Sequence, residues 1–301
     1  MSRIIYYYQT FTGLKKILEQ NPICVTHIIV SSIHFGYDKT KPYIHLNDNV
    51  PSSDVFNSLW SDLKIAHNLG IKVMIMLGGA GGAYNVLFSN YNIFYNMLKD
   101  FIKSKPFISG IDLDIEESIH IKYVQCLINQ IDKDFGQDFY ISMAPLGSSL
   151  IYNNSGMGGF SYKDLYNTNE GKRINWFNGQ FYGNYTFDSF NKVVNNNYPK
   201  MKVVMGMLAS ELTNDEFNNI IIEIKKIIMK YEIFGGVYIW EYFDSPNKDN
   251  PADWAMLMKK LIPKKIKTKK IIPKKVIQKK NFYKRRKSRG FFSDLYQELV
   301  N

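Results

Sequence analysis

The sequence predicts an α/β fold in which eight parallel strands close into a (β/α)8 barrel. Three observations lead there. Eight short apolar runs, rich in β-branched and aromatic residues, recur through residues 1–262, as strands buried on both faces should. Amphipathic helix-like stretches lie between them. The strand number and a span of about 250 residues match such a barrel. A doubly wound open sheet is the rival. It usually has fewer strands per domain, and no GxGxxG follows the first run.

The elements follow in order. Residues 3–9 (RIIYYYQ) read as the first strand and 25–34 (VTHIIVSSIH) as the second. A helix is expected over 53–69, ended by Asn68-Leu69-Gly70, where glycine supplies the left-handed stop. Strand 71–78 precedes a helix over 88–104, and strand 108–115 a helix over 118–134. Strands 138–144, 174–182 and 201–207 come next. Thr213 or Asn214 is placed to cap a helix running to residue 231. Strand 234–240 and a helix over 251–262 close the pattern.

The net charge of +11 is unevenly spread over the 301 residues. Residues 264–289 hold 14 Lys or Arg and no acid, whereas 1–262 carry 24 basic and 25 acidic side chains. The chain therefore divides into a near-neutral domain, 1–262, and a basic tail, 263–301, whose like charges oppose compact folding. KKNFYKRRKSR in the tail resembles a nuclear-import or nucleic-acid-binding patch. Clustered cations also bind anionic membranes or particle surfaces, and a solvated tail is the third reading. Hydrophobic residues make up 45% of the chain, enough for a sizeable core. No apolar run approaches the roughly 20 residues of a membrane-spanning helix. The N-terminus shows no signal-peptide pattern, so an intracellular, virion-packaged or lysis-released monomer is expected. Cys24 and Cys126 are expected reduced and buried.

The most informative segment is Gly110-Ile111-Asp112-Leu113-Asp114-Ile115-Glu116. Alternate residues of a strand share a face, so Asp112, Asp114 and Glu116 would project together at the C-terminal mouth of a barrel. Crowded, buried acids raise at least one carboxyl pKa, which suits a general acid. A divalent-cation site is the alternative for such a cluster, and solvated acids on an edge strand are a third. The five histidines show no metal-ligand spacing. No metal or cofactor is expected. Gly78, Gly79, Gly81 and Gly82 lack the Lys-Ser/Thr of a phosphate loop and are expected to let backbone pass close to a ligand.

SGIDLDIE resembles the DGxDxDxE signature of family 18 glycoside hydrolases, the chitinases. Four further segments resemble that family in order: KVMIMLGGAGG (72–82), ISMAP (141–145), GQFYGN (179–184) and GGVYIW (235–240). The resemblance covers about residues 1–262 and implies a TIM barrel without the extra inserted domain, as in short plant and fungal chitinases. It implies chitin or another N-acetylglucosamine-containing glycan as substrate, cleaved by substrate-assisted retention. An endo-β-N-acetylglucosaminidase acting on N-glycans and a sugar-binding protein of the same fold are the alternatives. On this reading Glu116 is the acid and base, Asp114 orients the acetamide and Asp112 pairs with Asp114. Tyr182, beside Gln180, bonds the acetamide carbonyl, and Trp240 forms the platform under the sugar. Tyr7 faces the site, Gly79 lets backbone approach the sugar, and Met143, like Met205, fills the barrel beside the pocket. Ser109, Met76 and Gly183 depart from the family pattern. With Met76 where the family has a serine, Asp112 is expected to lose a donor.

Overall fold

The computed structural model describes residues 2–262; the basic tail lies outside the described residues. Eight strands run parallel: β1 (Arg3–Tyr8), β2 (His27–Asp38), β4 (Lys72–Gly78), β5 (Ile108–Asp114), β6 (Tyr140–Met143), β7 (Trp176–Gln180), β8 (Val203–Leu208) and β9 (Gly236–Trp240). Pairing of β1 with both β2 and β9 closes them into a barrel. All eight coincide with the expected runs. Within the barrel each is largely apolar and buried on both faces, the pattern that parallel strands under helices require; only β2 runs on beyond it.

One strand was not expected. β3 (Lys41–Leu46) folds back antiparallel on the long second half of β2, pairing His34 with His45 and Gly36 with Tyr43. This arm rises beyond the barrel rim. Tyr43 lies where a Gly36 side chain would sit, 2.2 Å from an ideal Cβ, so Gly36 makes room for its ring.

Side chains alternate between two apolar regions. Ile5, Tyr7, Ile29, Met74, Met76, Trp176, Val204 and Tyr238 fill the barrel lumen. The larger cluster lies between the strands and the surrounding helices. Those helices include α2 (Asn57–Asn68), α3 (Ala83–Ser89), α4 (Tyr91–Lys103), α5 (Ile121–Phe135), α9 (Phe187–Asn195), α10 (Asn214–Tyr231) and α11 (Asp253–Leu261). Thr213 caps α10 through a reciprocal box with Glu216, which settles the choice between Thr213 and Asn214. Gly70, at φ 89°, ends α2 as expected. α9 was missed, although Thr186 caps it in the usual way. Only a 3-10 turn (Ala209–Glu211) separates β8 from the start of α10, so there is no inserted domain at that point. Cys24 is buried as expected, but Cys126 is exposed, because it points away from the buried stripe of Val124, Leu127 and Ile128 on α5.

Candidate active site

The C-terminal mouth of the barrel opens into a cleft of about 1110 Å³. Its floor includes Met76, Asp114, Glu116, Gln180, Tyr182 and Trp240. One wall comes from the loop after β1 and the β2–β3 arm, with Gln9, Thr10, His34, Tyr43, His45 and Asn47.

Asp112 and Asp114 share the inner face of β5, and Glu116 follows just past the strand end. Asp112 is fully buried and Asp114 is 5% exposed, whereas Glu116 is half-buried at the cleft surface. The donors that each buried aspartate meets, rather than its depth, set Asp112 apart from Asp114. Asp112 accepts hydrogen bonds from Tyr7 Oη at 2.7 Å, Ser142 Oγ at 2.6 Å and Asn178 Nδ2 at 3.0 Å. Burial raises its pKa, and these three donors oppose the rise. Among the described residues, Asp114 has only a long contact from Gln180 Nε2, at 3.4 Å. Burial first, and then the charges of Glu116 and Asp112, push its pKa well above the usual carboxylate range. Of the two, Asp112 is the better provided for as an anion, and Asp114 is the more strongly pushed toward its protonated form. Hydroxyl and amide donors aimed at Asp112 suit an anion rather than a bound cation.

Gln180 sits between the acids. Its Nε2 donates to the Ala144 carbonyl at 2.9 Å and lies 3.5 Å from Glu116 Oε1. Tyr182 lines the cleft and receives a hydrogen bond from Tyr238 Oη at 3.2 Å. Burial raises its phenol pKa, so it stays protonated and can donate. Trp240 lines the floor, its ring 5.2 Å from that of Tyr7.

The glycine loop has a more specific task than expected. Gly78, Gly79, Gly81 and Gly82 all have positive φ, between 79° and 118°. A Cβ on Gly78 would lie 2.3 Å from the Asp114 carbonyl oxygen, and the Gly79 N–H donates to that oxygen at 2.9 Å. The loop therefore folds over Asp114 itself. Glu117 fixes its far end by accepting the N–H groups of Tyr84 and Asn85 at the start of α3.

Three expectations need correction. Met143 is fully buried in the layer between strands and helices and does not line the cleft. Ser142 is the residue aligned with Asp112, so its neighbour must face outward. Met205 lies in the same outer layer for the same reason, between the lumen residue Val204 and Gly206. Tyr7 does face the site, but it is 1% exposed and its hydroxyl binds Asp112 below the cleft surface. Met76 sits beside Asp112 in the register, yet Asp112 does not lack a donor. The Met76 sulfur accepts from Ser31 Oγ at 3.2 Å, and Ser142 and Asn178 serve the carboxylate from the other side. Ser142 and Asn178 were missed. Their signal was a lone polar residue in the inward register of an apolar strand.

A closed barrel carrying a carboxylate cluster in a cleft at its C-terminal mouth has the form of an enzyme site suited to acid–base chemistry. No family model matches the chain. Among solved structures it is similar to a fungal endo-beta-N-acetylglucosaminidase from glycosyl hydrolase family 18, at 30% identity and TM-score 0.76, covering 86% of this chain and 97% of that one. It is also similar to a chitinase from Aspergillus fumigatus, at 29% identity and TM-score 0.74, covering 86% and 98%. Among curated proteins it resembles chitinase 2 of Rhizopus oligosporus, 27% identical over 216 residues, and acidic endochitinase of Vitis vinifera, 24% identical over 239. These alignments cover 60% and 70% of this chain, and 36% and 76% of the relatives, so only about a third of the Rhizopus protein is spanned. The chain belongs to glycosyl hydrolase family 18.

Proposed function

We propose that the protein hydrolyses β-1,4 bonds beside N-acetylglucosamine in chitin-type polymers by a retaining, substrate-assisted mechanism. The acetamide carbonyl oxygen of the substrate attacks the anomeric carbon as the glycosidic C–O bond breaks, and Glu116 gives its proton to the leaving oxygen. Water then adds to the anomeric carbon and gives a proton back to Glu116, reopening the acetamide. Asp114 orients the acetamide N–H and stabilises the positive intermediate, while Asp112, held by Tyr7, Ser142 and Asn178, is the fixed anion beneath it. Tyr182 bonds the acetamide carbonyl, and Trp240 carries the sugar. The observation that carries this reading is the pairing of a buried Asp114, its pKa raised well above the usual range, with a cleft-lining Glu116.

The presence of an acid in the Glu116 position supports an enzyme over a sugar-binding relative. A cleft of this size has room for several sugar rings, which supports attack within a chain. The second reading, release of N-glycans, is favoured by the similarity to the fungal endo-beta-N-acetylglucosaminidase. Product analysis on chitin oligomers and on an N-glycosylated protein separates the two. Short oligomers of N-acetylglucosamine from chitin support the first reading. Glycan release without chitin cleavage replaces it with the second.

A further inference from the structure

Glu241 follows directly on Trp240, the last residue of β9, and its side chain is 4% exposed. No cation pairs with it among the described residues. Instead one short segment surrounds its carboxylate. Oε2 accepts the Gln9 N–H at 2.6 Å and the Thr10 N–H at 2.9 Å, and Oε1 accepts the Thr10 hydroxyl at 2.5 Å. The connection continues across the cleft wall. Asn47 Nδ2 donates to the Gln9 carbonyl at 3.2 Å, and Asn47 Oδ1 accepts the Ser32 N–H at 3.1 Å. Asn47 stands at φ 50°, a left-handed position that asparagine tolerates better than most residues. Gln9, Thr10, Ser32 and Asn47 all line the cleft.

A buried carboxylate without a cation is costly unless its oxygens are fully satisfied. Here both oxygens hold backbone and hydroxyl groups of the loop after β1. From these observations we infer that Glu241 and Asn47 are positioning residues, a brace tying the Trp240 platform to the cleft wall, and that this brace sets how well the cleft holds sugars beyond the one at Glu116. The inference rests on the chitin-type reading above. Glu241 touches no reacting atom; it acts through Gln9, Thr10 and Asn47. Its backbone partners can only donate, and the Thr10 hydroxyl donates to it as well. A glutamine at 241 keeps one acceptor oxygen, loses the negative charge and turns an N–H₂ toward the Thr10 N–H that lies 3.2 Å from Oε1, whereas an aspartate keeps the charge and both acceptors on a shorter stem.

The test compares kcat/KM for an N-acetylglucosamine pentamer and for an aryl glycoside of the dimer in wild type, Glu241→Gln, Glu241→Asp and Asn47→Ala. Loss of a charge-assisted contact of this kind corresponds to about tenfold in an equilibrium. The pentamer-to-dimer ratio is expected to fall about tenfold in Glu241→Gln and by a smaller factor in Asn47→Ala, whose contacts are neutral, mainly through KM, with partial recovery in Glu241→Asp and an unchanged shape of the pH–rate profile. Equal losses on both substrates, or an unchanged ratio in a folded variant, would overturn the inference. Should wild type cleave neither substrate, the functional reading fails separately. Amide exchange at Gln9 and Thr10 then decides the brace: slow exchange in wild type and fast exchange in Glu241→Gln supports it, and equal exchange rejects it.

Discussion

The Tyr7 hydroxyl donates a 2.7 Å hydrogen bond across the barrel to Asp112 Oδ2 and joins β1 to β5 beneath the cleft. Burial raises the Tyr7 pKa well above its usual value, so it remains a donor throughout the neutral range. Tyr7→Phe removes one of the three donors that oppose the rise in the Asp112 pKa. The Asp112 pKa should rise further, and the acidic limb of the pH–rate profile should move upward. The limb belongs to the coupled Asp112–Asp114 pair rather than to either residue. Losing a hydrogen bond to a charged group costs about 1.5–3 kcal/mol, read as a lower melting temperature. A limb that stays in place would mean that Ser142 and Asn178 suffice.

Asp114 gives a prediction with a definite sign. Its folded pKa lies well above its unfolded value, chiefly through burial. Between those two values the native state binds the extra proton, so unfolding free energy falls as pH rises. Asp114→Asn keeps the shape and removes this titration. The variant should melt higher than wild type above the raised pKa, with the gain shrinking toward pH 4, while turnover collapses. Thermal melts across the pH range check this. A variant less stable than wild type at every pH would contradict it.

Gly79 and Met76 should be coupled. An alanine at 79 would hold φ at 82° and place its Cβ 2.7 Å from Met76 Cε. Gly79→Ala should cost about 1–3 kcal/mol through backbone strain. Adding Met76→Ser relieves the contact but leaves the strain, so the double variant should recover only part of the loss. Met76→Ser alone should leave the acidic limb where it is, since Asp112 already has three donors. Denaturant unfolding of the two single variants and the double variant measures the coupling.

How legible all this was from the sequence depends on how local the signal is. The eight barrel strands were readable because burial on both faces forces continuous apolar runs. β3 was not, since Lys41-Pro42 reads as a turn; a proline is tolerated only because this strand is an edge. Asp112, Asp114 and Glu116 announced themselves by alternation along one strand and just past its end. Ser142 and Asn178 did not, because their meaning comes from pairing with Asp112 across other strands. Met143 was misplaced for the same reason: register, not composition, decides which of two neighbours faces the lumen. Glu241 beside Trp240 carried no local signal at all, since its partners lie more than 200 residues away.

The division of the chain can be tested by truncation after Ile262. The barrel closes with β9, and α11 ends at Leu261. Residues 1–262 should therefore unfold cooperatively and turn over like the full chain. The 14 basic residues of 264–289 lead us to propose an anionic partner for the tail. Retention of the full chain, but not of the truncated one, on nucleic acid or anionic vesicles should weaken steeply with salt. Loss of cooperative unfolding after truncation would place the boundary elsewhere.

The most direct test of the mechanism is the turnover of an N-acetylglucosamine pentamer by Glu116→Gln, with pentamer binding measured on the same protein. The substitution keeps size and shape and removes the proton that the leaving oxygen needs. A general acid contributes about 10²–10⁴-fold, so turnover should fall by that factor while binding is retained. Turnover close to wild type would show that Glu116 is not the acid and that the carboxylate cluster works in some other way.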